Sequence, residues 1–332
     1  MTSASATAPR LPERMRAIVF DAPGDPSVLR ETTLPVPAPA LSELLVRVVA
    51  AGINPIDAKT RGGTGVSGLI ESFPSTLGYD VSGVVVRAPY ESHPMQPGTP
   101  VFGMVPFPRS GGTYAEYVVL PSLSAALKPE SLSHAEAAGV PLAALTAWGL
   151  VVDTARAHAG QRIFIHAGAG GVGHVAVQLA AHFGAHVTAT GSERNLSWLR
   201  ELGASEVVDY RTTRFEDVVS DVDVVIDLIG NVRDDTGTRS LGVLRPGGLY
   251  IPVATGSWPD YAAAAHAAGV RATSYKVIPD GRALATIAGL IDSGSLRIHV
   301  DDVFDLSDAA AAHALLEQGH ARGKIVLRVS DD

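Results

Sequence analysis

Glycines at 168, 170 and 173 stand between a short apolar run, Ile163 to Ala167, and an alanine-rich helical pattern reaching Gly184, so the chain reads strand, tight turn, helix. A pyrophosphate rests on a helix N-terminus only where the backbone turns sharply and no side chain stands in the way. Gly168 permits the turn, Gly170 lets phosphates approach backbone N–H groups, and Gly173 lets the helix pack on its strand; Gly171 and Val172 complete the loop. His186 to Thr190 follows as a second strand pattern, the context that a dinucleotide-binding reading of GxGxxG requires. A site for NAD usually places Asp or Glu at the end of that second strand to hold the ribose 2′-hydroxyl. Thr190, Gly191 and Ser192 stand there instead and Arg194 follows, which favours a cofactor bearing a 2′-phosphate, NADPH. Glu193 opposes this: it either binds a ribose or caps the helical pattern from Arg194 to Leu202.

Such a loop needs a sheet behind it. From Arg162 onward strands alternate with helices, at IFIHA, HVTAT, EVVDY, VDVVIDLI and LYIPVA, the order of a doubly wound parallel sheet of Rossmann type in an α/β protein. From Met15 the chain instead offers strand patterns at MRAIVF, LLVRVVAAGI, DVSGVVVRA and TYAEYVVL, separated by Pro/Gly-rich connections, which suggests a partly open β-barrel. After Ala272 the alternation stops. Helical patterns cover Gly281 to Ser293 and Ser307 to Glu317, and the last strand, KIVLRV, needs partners that the N-terminal part can supply. The expected organisation is a Rossmann domain, 125–272, inserted in a catalytic domain made of 15–124 and 273–332, with 1–14 as a flexible tail. The cleft between the domains would hold the nicotinamide.

Composition narrows the function. With 332 residues, 46% hydrophobic and 18% charged, the chain reads as a globular protein with a large core. A net charge of −8 argues against nucleic acid as a partner. No run of ~18 apolar residues exists to span a membrane, and MTSASATAPRLPER lacks the apolar region of a signal peptide, so a cytoplasmic location is expected. The chain has no cysteine, which removes thiol nucleophiles and every zinc site built on thiolate. Its 11 histidines are scattered, and no metal site is expected.

GINPIDAK at 52–59, GYDVSGVV at 78–85, GGTYAEYVV at 111–119, LTAW at 145–148, AGAGGVG at 167–173 and ARGKIVL at 321–327 together resemble the medium-chain dehydrogenase/reductase superfamily, and within it the zinc-independent quinone oxidoreductase and enone reductase branch. The resemblance implies a GroES-like barrel as the catalytic domain and a homodimer. Zinc-dependent relatives carry a cysteine where this chain has Asn54 and Gly-His-Glu where it has Gly78, Tyr79 and Asp80. By similarity, Asn54 and Asp57 sit beside the nicotinamide ribose and Thr146 opens a helix near the cofactor. Tyr210 lies near the adenosine 2′-phosphate, Lys324 reaches cofactor phosphates, and Ile229 and Val253 count among the cofactor contacts. Quinone reductases of this family often have tyrosine where this chain has Lys59, a form that looks more like the enone and alkenal reductases.

Reduction of an enone or quinone needs a hydride donor, stabilisation of the charge arising on oxygen, and a proton. Lys59 offers a cation and three donors; alternatively it is a surface residue or an ion-pair partner of Asp57, and a spacing of two does not decide. Tyr79 either donates a phenol hydrogen bond in the cleft or packs beneath the cofactor. His166 is read as a core histidine. The proline-rich loop at 88–103 either borders the substrate entrance or is a solvated hairpin connection. The expected function is zinc-independent, NADPH-dependent reduction of small hydrophobic quinones or activated C=C bonds. The alternatives are an enoyl reductase dedicated to a biosynthetic pathway and a non-catalytic NADPH-binding protein with a sensory or structural role.

Overall fold

A computed structural model describes residues 11–109, 111–232 and 234–331. Its first strands are β1 (Arg14–Phe20), β2 (Arg30–Pro35), β3 (Glu43–Ile53), β4 (Ser75–Thr76), β5 (Asp80–Arg87), β6 (Pro100–Met104), β7 (Tyr117–Pro121) and β8 (Ala125–Leu127). β2, β1 and β4 form one sheet; in a second, β3 pairs with β5 and β7, β5 with β6, and β6 with β8. The expected boundary at 125 therefore needs correction, because Ala125 to Leu127 hydrogen-bond to β6 and extend the N-terminal sheet. Of the expected tail, residues 1–10 lie outside the described residues, Arg14 already opens β1, and the Glu13 carbonyl accepts the Val36 N–H.

The next strands, β9 (Arg162–Ile165), β10 (His186–Gly191), β11 (Glu206–Asp209), β12 (Val222–Asp227), β13 (Leu244–Pro252) and β14 (Arg271–Ala272), make a six-stranded parallel sheet in the order β11-β10-β9-β12-β13-β14. Strand order reverses beside β9, so the crevice between the carboxyl ends of β9, β10 and β12 is where such sheets bind ligands. Ile163, Phe164 and Ile165 are fully buried, as a central parallel strand covered on both faces requires.

The last strands, β15 (Val300–Asp305) and β16 (Lys324–Arg328), return to the N-terminal sheet. β16 runs antiparallel to β3, with Ile325 opposite Ile53 and Val326 opposite Gly52, as expected for a terminal strand that lacks partners of its own. In chain order the helices are α1 (Pro55–Arg61), α2 (His134–Ala138), α3 (Pro141–Trp148), α4 (Gly173–His182), α5 (Leu196–Glu201), α6 (Thr236–Leu241), α7 (Tyr261–Ala267), α8 (Gly281–Asp292) and α9 (Ala309–Glu317). Among the described residues no helix is long and apolar enough to cross a membrane.

The 88–99 loop joins β5 to β6 at the end of the hairpin where Val84 faces Pro100, whereas Asp80 faces Met104 at the other end. At about 3.3 Å per residue, the seven residues from Asp80 to Arg87 carry the loop roughly 20 Å from Asp80. It is a hairpin connection and does not border the Asp80 end. The segment after Met104 does.

Candidate active site

At the phosphate-binding end, Ala167 takes a left-handed conformation (φ 50°) and turns the chain out of β9. The Ala167 N–H donates to Thr190 Oγ1 (3.0 Å) and the Gly168 N–H to the Thr190 carbonyl (2.9 Å). Thr190 therefore anchors the glycine loop, and its hydroxyl is not left open to a ribose or a 2′-phosphate as its place at the strand end suggested. A Cβ on Gly173 would lie 2.2 Å from the Ala167 carbonyl oxygen, so only glycine lets α4 start this close to its strand. A Cβ on Gly170 would meet only the Ala167 oxygen, at 3.4 Å. The N–H groups of Gly171 and Val172 find no acceptor among the described residues. Two unspent donors ahead of a ten-residue helix suit an anion, so this loop fits a dinucleotide pyrophosphate.

Just past the carboxyl end of β10, Ser192 is buried and its Oγ accepts from Asn195 Nδ2 (3.3 Å). Arg194 is exposed, and its guanidinium donates to the His320 carbonyl. Arg322 lies 5.0 Å from the centroid of the Trp198 ring and donates to Asn195 Oδ1 (3.0 Å) and the Arg194 carbonyl (3.2 Å). The Tyr210 N–H donates to the Gly191 carbonyl (3.3 Å); its ring is 56% exposed, with Arg211 5.8 Å from its centroid. Arg211 and Arg322 are additions to the sequence reading. Arg322 lies 128 residues beyond Arg194, and only the fold brings the two together.

The catalytic end is built on a helix cap. Asn54 precedes α1, Pro55 opens it, and Asp57 at the third position accepts the Asn54 N–H through Oδ2 (2.8 Å). The other Asp57 oxygen accepts the Gly78 N–H (3.1 Å). The Asn54 side chain donates through Nδ2 to Asp80 Oδ2 (2.9 Å) and accepts from the Lys324 ammonium. Lys324 also donates to the Ile53 carbonyl (2.9 Å) and stands 3.5 Å from Asp80 Oδ2, while Asp80 Oδ1 accepts the Leu142 N–H (2.7 Å) at the start of α3. A Cβ on Gly52, opposite Asp80, would lie 2.3 Å from the Ala138 carbonyl and 2.9 Å from Asp80 Cβ, so the glycine makes room for the carboxylate.

Asn54, Asp57, Asp80 and Lys324 are each at most 3% exposed. Burial pushes the Asp57 carboxyl up to about 7, with Asp80 adding to the rise and Lys324 and two backbone N–H groups opposing it. Burial likewise raises Asp80 and lowers Lys324, and their mutual attraction resists both changes. The Lys324 stem passes the glycine loop, 3.1 Å from where a Gly171 Cβ would be, but its ammonium turns to Asn54 and Asp80 and does not point toward phosphates.

Not every expected residue joins this cluster. Lys59 lies two positions beyond Asp57 on α1, a spacing that does not share a helix face, and among the described residues it forms no ion pair; both Asp57 oxygens are taken by backbone N–H groups. Tyr79 points away from Asp80, donates to the Arg109 carbonyl (3.0 Å) and sets its ring against the edge of Phe107 (centroids 5.2 Å apart). It lines a slot of about 10 Å³ with Val66, Leu69, Ile70, Leu77 and Arg109, room for about one water. Thr146 does not open a helix as expected: α3 already begins at Pro141, and Thr146 is buried within it, donating to the Leu142 carbonyl (2.6 Å). Ile229 and Val253 flank buried Asp227: the Ile229 N–H donates to Asp227 Oδ1 (2.8 Å), the Val253 N–H to its carbonyl (2.9 Å), and the Tyr250 hydroxyl to Oδ2 (2.6 Å). His166 is buried against Ser240 Oγ (2.8 Å), and burial lowers its pKa to about 4, in keeping with a core histidine. A cavity of about 910 Å³ lies at the opposite ends of β12 and β13, among Arg156, Arg245 and Arg271.

Residues 41–130 match the alcohol dehydrogenase GroES-like domain family and residues 202–327 the zinc-binding dehydrogenase family. The chain is 33% identical over 361 residues to the mitochondrial NAD(P)H oxidoreductase RTN4IP1 of Danio rerio, covering 96% of this chain and 92% of that protein. It is 35% identical to the chloroplastic NADPH-dependent alkenal/one oxidoreductase of Arabidopsis thaliana, over 96% of this chain and 80% of that one. The solved quinone oxidoreductase of Coxiella burnetii superposes with a TM-score of 0.90 at 38% identity, over 96% of this chain and all of the other. The chain belongs to the medium-chain dehydrogenase/reductase superfamily. Its place there is the zinc-independent quinone oxidoreductase and enone reductase branch. A catalytic zinc does not fit the residues present: Asn54 and Tyr79 stand at ligand positions, Asp80 is already held by Asn54, Leu142 and Lys324, and the chain has no thiolate.

Proposed function

We propose that this oxidoreductase uses NADPH to reduce small hydrophobic quinones and α,β-unsaturated ketones or aldehydes without a metal. The observation that carries the reading is the Asn54–Asp80–Lys324 cluster, which fills the place of zinc ligands with hydrogen-bonded polar groups while its lysine stem lies against the glycine loop. Relatives named as alkenal/one oxidoreductase and quinone oxidoreductase support the substrate class and weigh against a non-catalytic role.

When bound, NADPH supplies a hydride from nicotinamide C4. The Gly171 and Val172 N–H groups hold its pyrophosphate, with Gly168, Gly170 and Gly173 keeping the loop open. Ser192, Arg194 and Tyr210, joined by Arg211 and Arg322, receive the 2′-phosphate; Thr146, Ile229 and Val253 wall the nicotinamide side. Asn54 and Asp57, locked by the α1 cap, orient the ribose. Lys59 supplies a cation to the nascent oxyanion, and the Tyr79 ring, packed on Phe107, walls the substrate side of the cleft. A conjugated substrate spreads the developing charge, so donors of this strength suffice where an isolated ketone requires a Lewis acid. A homodimer in the cytoplasm is proposed with this function; sedimentation and cell fractionation check the two.

The test is a substrate panel. NADPH oxidation is expected with enones, alkenals and quinones and at most a trace with saturated ketones. A preference for saturated carbonyls would overturn the proposal.

A further inference from the structure

The cavity at the amino ends of β12 and β13 takes no part in the site described above. It meets β12 at Asp223 and Val224, whereas the turn that carries Ile229 begins at Asp227, roughly 13 Å further along the strand at about 3.3 Å per residue. Buried Val224, Leu249 and Val270 give it an apolar wall. Guanidinium groups come to it from three separate segments, and they outnumber its two carboxylates, Asp153 and Asp223. Asp223 is already engaged, by Arg245 (2.5 Å) and by the Arg162 N–H (2.7 Å). Arg271 gives only its Nε, to the Gly247 carbonyl (3.0 Å), and among the described residues Arg156 forms no ion pair or side-chain hydrogen bond.

Two local features set this cavity apart from an ordinary surface depression. The chain approaches it through a π-helical turn, Gly149–Thr154, and Arg156 then takes a left-handed conformation (φ 52°) that residues other than glycine seldom adopt; both kinds of irregularity concentrate at ligand sites. Gln161, which also lines the cavity, is only 8% exposed. Its Nε2 donates to the Ala155 carbonyl (3.1 Å), but its Oε1 is buried and has no partner. Buried acceptors are seldom left unpaired, and an occupant carrying an N–H or O–H donor satisfies this one. A volume of about 910 Å³ exceeds the needs of an inorganic anion and suits a molecule with an apolar body.

We propose that this cavity is a second nucleotide site, separate from the glycine loop, which takes a nucleoside diphosphate. Its phosphates pair with Arg156 and Arg271, its base lies against Val224, Leu249 and Val270, and an amino or hydroxyl group of the nucleoside donates to Gln161 Oε1.

Titration calorimetry with ADP tests this on protein saturated with NADP+, which keeps the probe out of the glycine-loop site. One ADP per chain should still bind. Arg156→Asn, a residue that tolerates left-handed backbone, and Arg271→Ala should each weaken ADP at least about tenfold and leave NADPH affinity within about twofold. Both side chains are exposed, so neither change threatens the fold. Inorganic pyrophosphate should bind at least about tenfold more weakly than ADP, and equal binding would overturn the nucleoside part of the proposal. ADP that binds only without NADP+ belongs to the glycine loop and overturns the site, as does no binding, or binding that neither substitution weakens. A wild type that binds no ADP, with sedimentation of a dimer that Arg156→Asn dissociates, would assign the cavity to a second copy of the chain instead. If the protein binds no NADP(H), the cofactor reading above fails by itself. Titration of the protein alone, comparing both substitutions with Arg194→Ala, then still locates the ADP.

Discussion

Buried in the first turn of α1, Asp57 holds its proton to about pH 7, against an ordinary 3.8. Between those values the folded chain binds a proton that the unfolded chain has released, so this residue makes stability fall as pH rises through the window. Urea unfolding should show the wild type losing about 2–3 kcal/mol more than Asp57→Asn between about pH 5 and about pH 8; equal losses would contradict the burial account. Lys59 answers to a different measurement. Lys59→Met keeps the stem and removes the cation, so kcat should fall by about tenfold or more with NADPH affinity little changed, and an unchanged kcat would return the lysine to a surface role. Cofactor choice is also a residue-scale matter: NADPH should bind at least about tenfold more tightly than NADH, equivalent to about 1.4 kcal/mol, and Arg194→Ala should narrow the gap. Fluorescence titration reads both.

Among the elements, the helix cap at the start of α1 shows why part of the site was legible in the sequence. Asn-Pro-x-Asp is both a resemblance motif and a capping sequence, so Asn54 and Asp57 had to converge. Glycines 168, 170 and 173 were legible because a strand–turn–helix order is local. Lys324, by contrast, sits on a terminal strand whose register against β3 turns its ammonium to Asn54, and no local pattern states that register. The strand β15, VDDVFD, was missed because its residues are mostly exposed and acidic and it forms only by pairing with β16. Tyr79 reads from the sequence as facing the cleft, whereas in the structure its hydroxyl donates to the Arg109 carbonyl. Tyr79→Phe should therefore cost about 1 kcal/mol of stability and less than about tenfold in kcat, whereas a loss of about a hundredfold would restore the phenol as a proton donor.

For the molecule as a whole, two sheets built from distant parts of the chain meet at β16 and the glycine loop, where the Gly323 N–H donates to the Ala169 carbonyl (2.9 Å). Activity should survive exhaustive chelation, and elemental analysis should find no zinc at one per chain, because the donors that would bind it are absent or already engaged. The proposed reduction delivers hydride to conjugated carbon and not to the carbonyl. Reduction of an α,β-unsaturated ketone with NADPH deuterated on the transferred face of C4, followed by NMR of the product, tests it directly. Deuterium on the β-carbon of a saturated ketone is the predicted result; deuterium on a carbinol carbon, with the double bond intact, would contradict it.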